Sequence, residues 1–212
     1  NPVVEYCSLG EALYQAKSGD ELQFLRNFEV NEFSTVSSKN ITINTMGYTV
    51  TYNNTTDNSF ILSVLSNATV NLIGNGSFVT QPKGSTILVN PRATVIVDGP
   101  TLSGGYRSVR VQGYTNANYW FPNNFILQSG TLTNGIRVIG RGANVTINGG
   151  TVFRSDGQPA ITGDATITQF NYNGGTTVTV NGGTIDGGTA AAIYNPQSGS
   201  VTINGGTLTG GS

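Results

Sequence analysis

The apolar residues of this chain recur at alternate positions over short stretches, and most of these stretches end at a glycine. Three late segments, residues 145–152, 178–185 and 201–208, are almost identical and read VTINGGTV, VTVNGGTI and VTINGGTL. A short alternating run followed by Asn-Gly-Gly predicts a β-strand and then a tight turn. Between these copies, no segment has the period and length of a helix. The chain is therefore expected to consist of short strands joined by turns.

Weaker copies of the same pattern extend back to residue 41. If the second apolar residue of each copy is taken as its anchor, the spacing between neighbouring anchors is uneven along the chain. Further short apolar segments fall between the copies, at 87–89, 109–111, 136–138 and 192–194. Such a chain is expected to form a stacked coil in which each strand pairs with its equivalent one turn along. The anchors are Ile43, Leu72, Val97, Leu127, Ile147, Val180 and Ile203.

A polar side chain lies next to every anchor, and a threonine follows in the later copies. Stacked amide side chains can hydrogen-bond along a ladder at the spacing of neighbouring strands, ~4.8 Å. Asparagine also tolerates the left-handed backbone of a sharp bend. The predicted ladder is Asn44, Asn71, Asp98, Gln128, Asn148, Asn181 and Asn204, and the threonine column is Thr101, Thr131, Thr151, Thr184 and Thr207.

The N-terminal segment, 1–20, differs from the rest and is predicted to hold a short amphipathic helix. Ser8 and Glu11 have the spacing of a capping box, and Gly19 is expected to stop the helix. Positions 9, 12, 13 and 16 form one apolar face, which suits a helix that caps the open end of a solenoid. The expected division is a cap segment at 1–20 and a coil at 21–212. No polar cap follows the final half-repeat, so the coil is expected to continue in a longer protein.

The Asn column, the VTINGGT turn and the irregular period over about residues 20–212 resemble the right-handed parallel β-helix of the pectate-lyase-like superfamily. This resemblance implies an all-β fold, a right-handed parallel β-helix with a short N-terminal capping helix. The regular late repeats also resemble those of bacterial cell-surface adhesins. Because this architecture carries lyases, hydrolases, adhesins and phage tailspikes, it implies no particular reaction.

Composition removes several classes of function. Ten basic residues stand against eleven acidic ones, which argues against a nucleic-acid partner. No apolar run approaches the length that a membrane-spanning helix needs, so no membrane span is expected. The chain has no histidine and a single cysteine, which excludes histidine-dependent catalysis, an internal disulfide and a cysteine zinc site. No metal or cofactor is expected.

The acidic residues of the coil are isolated, which argues against an enzyme. Glycoside hydrolysis needs two carboxyl groups roughly 5–9.5 Å apart across a sugar, and a calcium-dependent lyase needs clustered carboxylates and a base. The catalytic motifs of the polygalacturonases and pectate lyases that the chain resembles are also absent. A lyase or hydrolase therefore stays an alternative, with Asp98, Asp156, Asp164 and Asp186 as its only candidate residues.

Residues 99–155 carry five arginines, including Arg154, and no lysine or acid, and an aromatic insertion at 113–124 lies among them. Aromatic faces stack on sugar rings, and arginine binds carboxylates through two parallel hydrogen bonds. These residues predict a shallow groove for an anionic glycan such as a uronate or a sialylated chain. The alternative is that the aromatic residues form an apolar lid beside solvated arginines. The candidate binding residues are Arg107, Arg110, Tyr114, Tyr119, Trp120, Arg137 and Arg141.

The sequence thus favours a non-catalytic, extracellular carbohydrate-binding or adhesive module of a bacterial surface protein, with a glycan as its partner. A phage tailspike or capsid fibre, which would be a trimer on the phage particle, is a further alternative. Threonine columns also occur in ice-binding solenoids, but the uneven anchor spacing is expected to spoil a lattice match.

Overall fold

The computed structural model describes residues 4–113, 121–164, 175–196 and 199–211. These residues form one short helix and a long series of short strands, as the alternating pattern predicts. In chain order the elements are α1 (Leu9–Gln15), β1 (Glu21–Gln23), β2 (Phe28–Val30), β3 (Ser34–Ser37), β4 (Asn40–Asn44), β5 (Thr49–Asn54), β6 (Phe60–Leu65), β7 (Thr69–Ile73), β8 (Ser77–Pro82), β9 (Ser85–Val89), β10 (Thr94–Ser103), β11 (Arg107–Gln112), β12 (Asn123–Leu132), β13 (Ile136–Ile139), β14 (Ala143–Ile147), β15 (Thr151–Phe153), β16 (Ile161–Asp164), β17 (Thr177–Val180), β18 (Thr184–Asp186), β19 (Ile193–Tyr194), β20 (Ser200–Ile203) and β21 (Thr207–Thr209).

The described strands pair in parallel and form two sheets, in which equivalent strands of successive coils lie side by side. In the first sheet, one row runs β1-β4-β7-β10-β12-β14-β17-β20. A second row of that sheet, β2-β5-β8 and β15-β18-β21, joins the first through the long strands β10 and β12. The second sheet runs β3-β6-β9-β11-β13-β16-β19. Each strand thus pairs with its equivalent one repeat along, which is consistent with a β-solenoid.

The register confirms the predicted anchor pairing along the whole coil. Each anchor is the direct partner of the next, from Ile43 with Leu72 to Val180 with Ile203. The threonine column is continuous in the same way, from Thr101 with Thr131 to Thr184 with Thr207. Pairing therefore stays in step although the length of chain between anchors varies from coil to coil.

The core lies between the sheets and is built from the inward half of each alternating strand. One column of the second sheet shows the principle, because five valines stack on one another and each is fully buried. Full burial of one such side chain contributes about 1.5–3 kcal/mol. The stack is Val36, Val64, Val89, Val111 and Val138.

Helix α1 joins this core through one face. Leu9 and Leu13 are buried in the same apolar cluster as the strands, and the Ser8 hydroxyl accepts the Glu11 backbone N–H at 3.1 Å. The helix ends at Gln15 with Ala16 as its C-cap, so the expectation that Gly19 stops it is wrong. Instead, the Gly19 N–H bonds to the Asn40 carbonyl in strand β4, at 2.7 Å.

At the other end, strands β20 and β21 each pair with one strand among the described residues, β17 and β18 respectively. Val201, Ile203 and Leu208 are therefore 42%, 46% and 39% exposed, whereas their partners one coil earlier are buried. In the described part of the chain, no helix has the length and apolar character needed to cross a bilayer.

Candidate functional site

The amide column forms a chain of side-chain hydrogen bonds across the last four coils. Nδ2 of Asn148 donates to Oε1 of Gln128 at 3.0 Å. Nδ2 of Asn181 donates to Oδ1 of Asn148, and Nδ2 of Asn204 donates to Oδ1 of Asn181, both at 2.8 Å. Each amide in the middle of the column is thus a donor to the coil before it and an acceptor for the coil after it. These exposed amides tie neighbouring coils together, which is a structural role.

The earlier members of the predicted ladder behave differently. Asp98 is in register with Ser129 rather than Gln128, and its carboxylate accepts the Ser129 hydroxyl at 2.5 Å. Asn44 donates to the Glu21 carboxylate at 3.0 Å. A hydrogen bond from Gln23, together with the one from Asn44, lowers the pKa of Glu21.

Asn71 does not belong to this column, and its place in the predicted ladder is wrong. It precedes its anchor Leu72, whereas the other ladder residues follow theirs, and it pairs with Thr42 and Ile96. A shift of two positions keeps a side chain on the same face of a strand but moves it to the neighbouring column. Ile73 stands where the ladder residue was expected.

The second glycine of each Asn-Gly-Gly turn is required by close packing of the coils. Gly183 has φ +80°, and a Cβ atom there would lie 2.6 Å from the carbonyl oxygen of Gly150 in the preceding coil. Gly206 meets Gly183 in the same way, at φ +93° and 2.8 Å. Only glycine combines this backbone conformation with so close an approach.

The threonine column does not lie in a uniform polar face. The column beside it holds Ser103 and Thr133, and then Phe153 and Asp186, which pair with one another. An aromatic ring and a carboxylate interrupt any flat hydroxyl array at this point. The ice-binding alternative is disfavoured for this reason, and not because of the uneven anchor spacing, which leaves the columns in register.

Arg110 and Arg137 are direct partners on strands β11 and β13. Both are half-buried, and their neighbours Val109 and Val111 are fully buried, so the arginine column lies on the side away from the core. Nη1 of Arg110 donates to Oδ1 of Asn58 at 3.0 Å. Nη1 of Arg137 lies 3.5 Å from the Tyr106 hydroxyl. The structure therefore places two like charges on neighbouring strands.

Arg107, a predicted surface ligand, is 5% exposed. It begins strand β11, pairs with Ser85, and its guanidinium carbon lies 5.5 Å from the centre of the Tyr106 ring. Its burial follows from strand alternation, because position 107 lies on the same inward face as the fully buried Val109 and Val111. The structure thus separates Arg107 from the outer pair, although it lies on the same strand as Arg110.

Arg154 is also buried, at 3% exposure, and has a structural role. It forms a bidentate ion pair with Asp156. Its Nη1 donates to the carbonyl oxygens of Tyr106 and Asn134, both at 3.1 Å. The hydrogen bond from Arg154 holds the pKa of Asp156 below its usual value.

Two other arginines lie beside the base of the insertion. Arg141 is half-buried and follows strand β13. Arg92 was not among the predicted residues, and its guanidinium carbon lies 3.5 Å from the centre of the Phe121 ring. Arg92 and Phe121 come from different coils, so no local sequence pattern indicates their contact. Tyr114, Tyr119 and Trp120 lie outside the described residues.

Three of the four candidate acids, Asp98, Asp156 and Asp186, are occupied by local contacts. In addition to the pairs of Asp98 and Asp156, Oδ1 of Asp186 accepts the Gly188 N–H at 2.8 Å. Asp164 ends strand β16 opposite Ile139. Among the described residues, no three acidic or cysteine side chains are grouped so as to hold a metal ion.

Comparisons with protein-family models, with curated proteins and with solved structures find no match to this chain.

Proposed function

We propose that this chain is a non-catalytic, extracellular carbohydrate-binding module of a bacterial surface adhesin, and that it binds anionic glycans at the Arg110/Arg137 pair. The pairing of these two arginines across strands β11 and β13 carries the proposal. Neighbouring strands lie about 4.8 Å apart, and like charges placed directly opposite destabilise a sheet. A carboxylate bound between two guanidinium groups removes that repulsion and forms charge-assisted hydrogen bonds to both.

The aromatic insertion supplies the other half of the proposed groove. Its first residue, Gly113, donates to the Ile139 carbonyl at 2.6 Å, and Asn123 at its return donates to the Gly142 carbonyl at 3.0 Å. Both ends therefore bond to the coil that carries Arg137 and Arg141. On this proposal Tyr114, Tyr119 and Trp120 stack on sugar rings while the arginines bind the acid groups.

A right-handed parallel β-helix of the pectate-lyase-like kind, capped at its N-terminal end by α1, is part of the same proposal. The repeating strand order and the burial of Leu9 and Leu13 against the coil support it. A polysaccharide lyase or hydrolase is the alternative. It is less well supported because Asp98, Asp156 and Asp186 are already engaged by Ser129, Arg154 and a turn. No observation on the described residues favours a phage fibre.

The test measures binding and cleavage together, with polygalacturonate and sialylated chains as acidic ligands and dextran as the neutral control. We expect binding of an acidic chain without new reducing or unsaturated ends. A charge-assisted hydrogen bond contributes about 1.5–3 kcal/mol, so Arg110→Ala and Arg137→Ala should each weaken binding by roughly tenfold or more. Arg26→Ala, which removes an exposed arginine outside this coil region, is the matched control.

Equal affinity of the two variants and the wild type would reject this site. Release of oligosaccharides would instead favour the enzyme alternative, and Asp156, Asp164 and Asp186 would then be the residues to replace.

A further inference from the structure

A polar cluster separate from the outer Arg110/Arg137 pair lies inside the coil, at the corner between strands β10 and β11. Ser85 and Arg107 are direct partners there, as the first residues of strands β9 and β11. Their side chains are almost inaccessible, because Ser85 is 0% and Arg107 5% exposed. An arginine at this depth normally has a carboxylate or several carbonyl oxygens around it.

Within the described part of the chain, Arg107 and Ser85 lack such partners. Nε and Nη1 of Arg107 and Oγ of Ser85 are all buried, and none has a hydrogen-bond partner among the described residues. A guanidinium group has donors only, and a hydroxyl group can donate as well. A single group that satisfied all three atoms would therefore have to be an acceptor.

Among the described residues, the Arg107 guanidinium group at this corner has no counter-ion. Arg154 reaches the corner through the Tyr106 carbonyl, but its charge is balanced by Asp156. No ion pair joins Arg107 to a carboxylate of any residue that the structure describes. A guanidinium group in a protein does not lose its proton, so burial cannot neutralise it. An isolated buried charge is strongly destabilising. The Tyr106 ring offers only partial compensation through its face.

We propose that Ser85 and Arg107 form a buried anion site that takes a small monovalent anion, either chloride or the carboxylate group of a small acid. The hydroxyl and the guanidinium group supply the donors, and the enclosed position limits the size of the ligand. This site differs from the outer Arg110/Arg137 pair and does not depend on glycan binding.

The experiment compares urea unfolding of the whole chain in chloride, in acetate and in a bulky organic sulfonate, at one ionic strength. A ligand that binds only the folded state raises stability continuously with its concentration. We expect the unfolding midpoint of the wild type, and of the surface control Arg26→Met, to rise with chloride but not with the sulfonate. Arg107→Met should lose this dependence.

Which of the two proteins is more stable, the wild type or Arg107→Met, gives a more specific test. In the sulfonate buffer, Arg107→Met should be at least as stable as the wild type, because it removes an uncompensated buried charge. At high chloride the order should reverse. Ser85→Ala removes one donor and should shift the chloride midpoint to higher concentration, which keeps the test decisive if Arg107→Met does not fold.

Acetate distinguishes the two sources of the anion. If acetate stabilises the wild type at low chloride, and the stabilisation by acetate and that by chloride are not additive, the two anions share the site. The site then takes carboxylates as well as chloride. If only chloride stabilises, the ligand is the inorganic ion. Equal stability of the wild type in all three anions, or a chloride dependence that Arg107→Met retains, would overturn the proposal.

Discussion

The amide ladder predicts how much the side-chain hydrogen bonds between neighbouring coils contribute to the free energy of unfolding. Asn181 donates one side-chain hydrogen bond and accepts another, whereas Asn204, at the end of the described column, takes part in one. A hydrogen bond contributes about 0.5–1.5 kcal/mol net, and exposed amides fall in the lower half of that range. Asn181→Ala should therefore destabilise the chain by about 1–2 kcal/mol and Asn204→Ala by about half as much.

The assay is urea unfolding followed by far-UV circular dichroism, with the midpoint and slope fitted separately. Asn71→Ala is the matched control, because this amide lies on the same sheet but outside the column. A double-mutant cycle between Asn148 and Asn181 isolates their shared bond, and we expect a coupling energy of about 0.5–1 kcal/mol.

Solenoid coils contact only their neighbours, so a loss near one end can appear as partial unfolding of that end. Hydrogen exchange at the Asn181 and Asn204 backbone amides, which bond to Ile147 and Val180, detects that case. Equal costs for Asn181→Ala and Asn204→Ala, together with zero coupling, would refute the view that the ladder holds the coils together.

Two further predictions concern charge and backbone. The pKa of Asp156 is depressed in the folded state by its bond to Arg154, so this carboxylate stabilises the fold above the ordinary aspartate pKa of about 3.9 and ceases to do so as pH falls through the folded value. The urea midpoint of the wild type should drop on acidification through this range more steeply than that of Asp156→Asn, and parallel curves would contradict this. Gly157→Ala meets no atom within 4 Å and should cost only the left-handed strain of about 1–2 kcal/mol. Gly183→Ala has a similar φ but meets a backbone oxygen, so its thermal midpoint should fall further, and equal midpoints would contradict the close packing.

The register of the coil could be predicted from sequence because its determinants are local. Alternation fixes which side chains face inward, and the Asn-Gly-Gly turn marks the same point in each late copy, so equivalent residues can be matched without knowing the path between them. Asn71 shows the limit of this reasoning. A polar residue on either side of an anchor looks equivalent in sequence, and only strand pairing distinguishes the two columns.

The candidate site could be predicted only in part. The Arg110/Arg137 pairing followed from two similar strand sequences, VRV and IRV. The burial of Arg107 also follows from alternation, because positions 107, 109 and 111 share the inward face of strand β11, although an arginine is rarely found on such a face. By contrast, the contact of Arg92 with Phe121 joins two coils and could not be predicted from a local pattern.

The strands stay in register although the coils differ in length, and this has a consequence for how the scaffold can evolve. The chain is much shorter from the anchor Leu127 to Ile147 than from Ile147 to Val180, yet both pairs are in step. Doubling the length of a flexible loop costs only about 0.6 kcal/mol. Insertions at the corners are therefore nearly neutral for the scaffold, and new binding loops can arise, lengthen or be exchanged between coils without redesign of the strands that carry them.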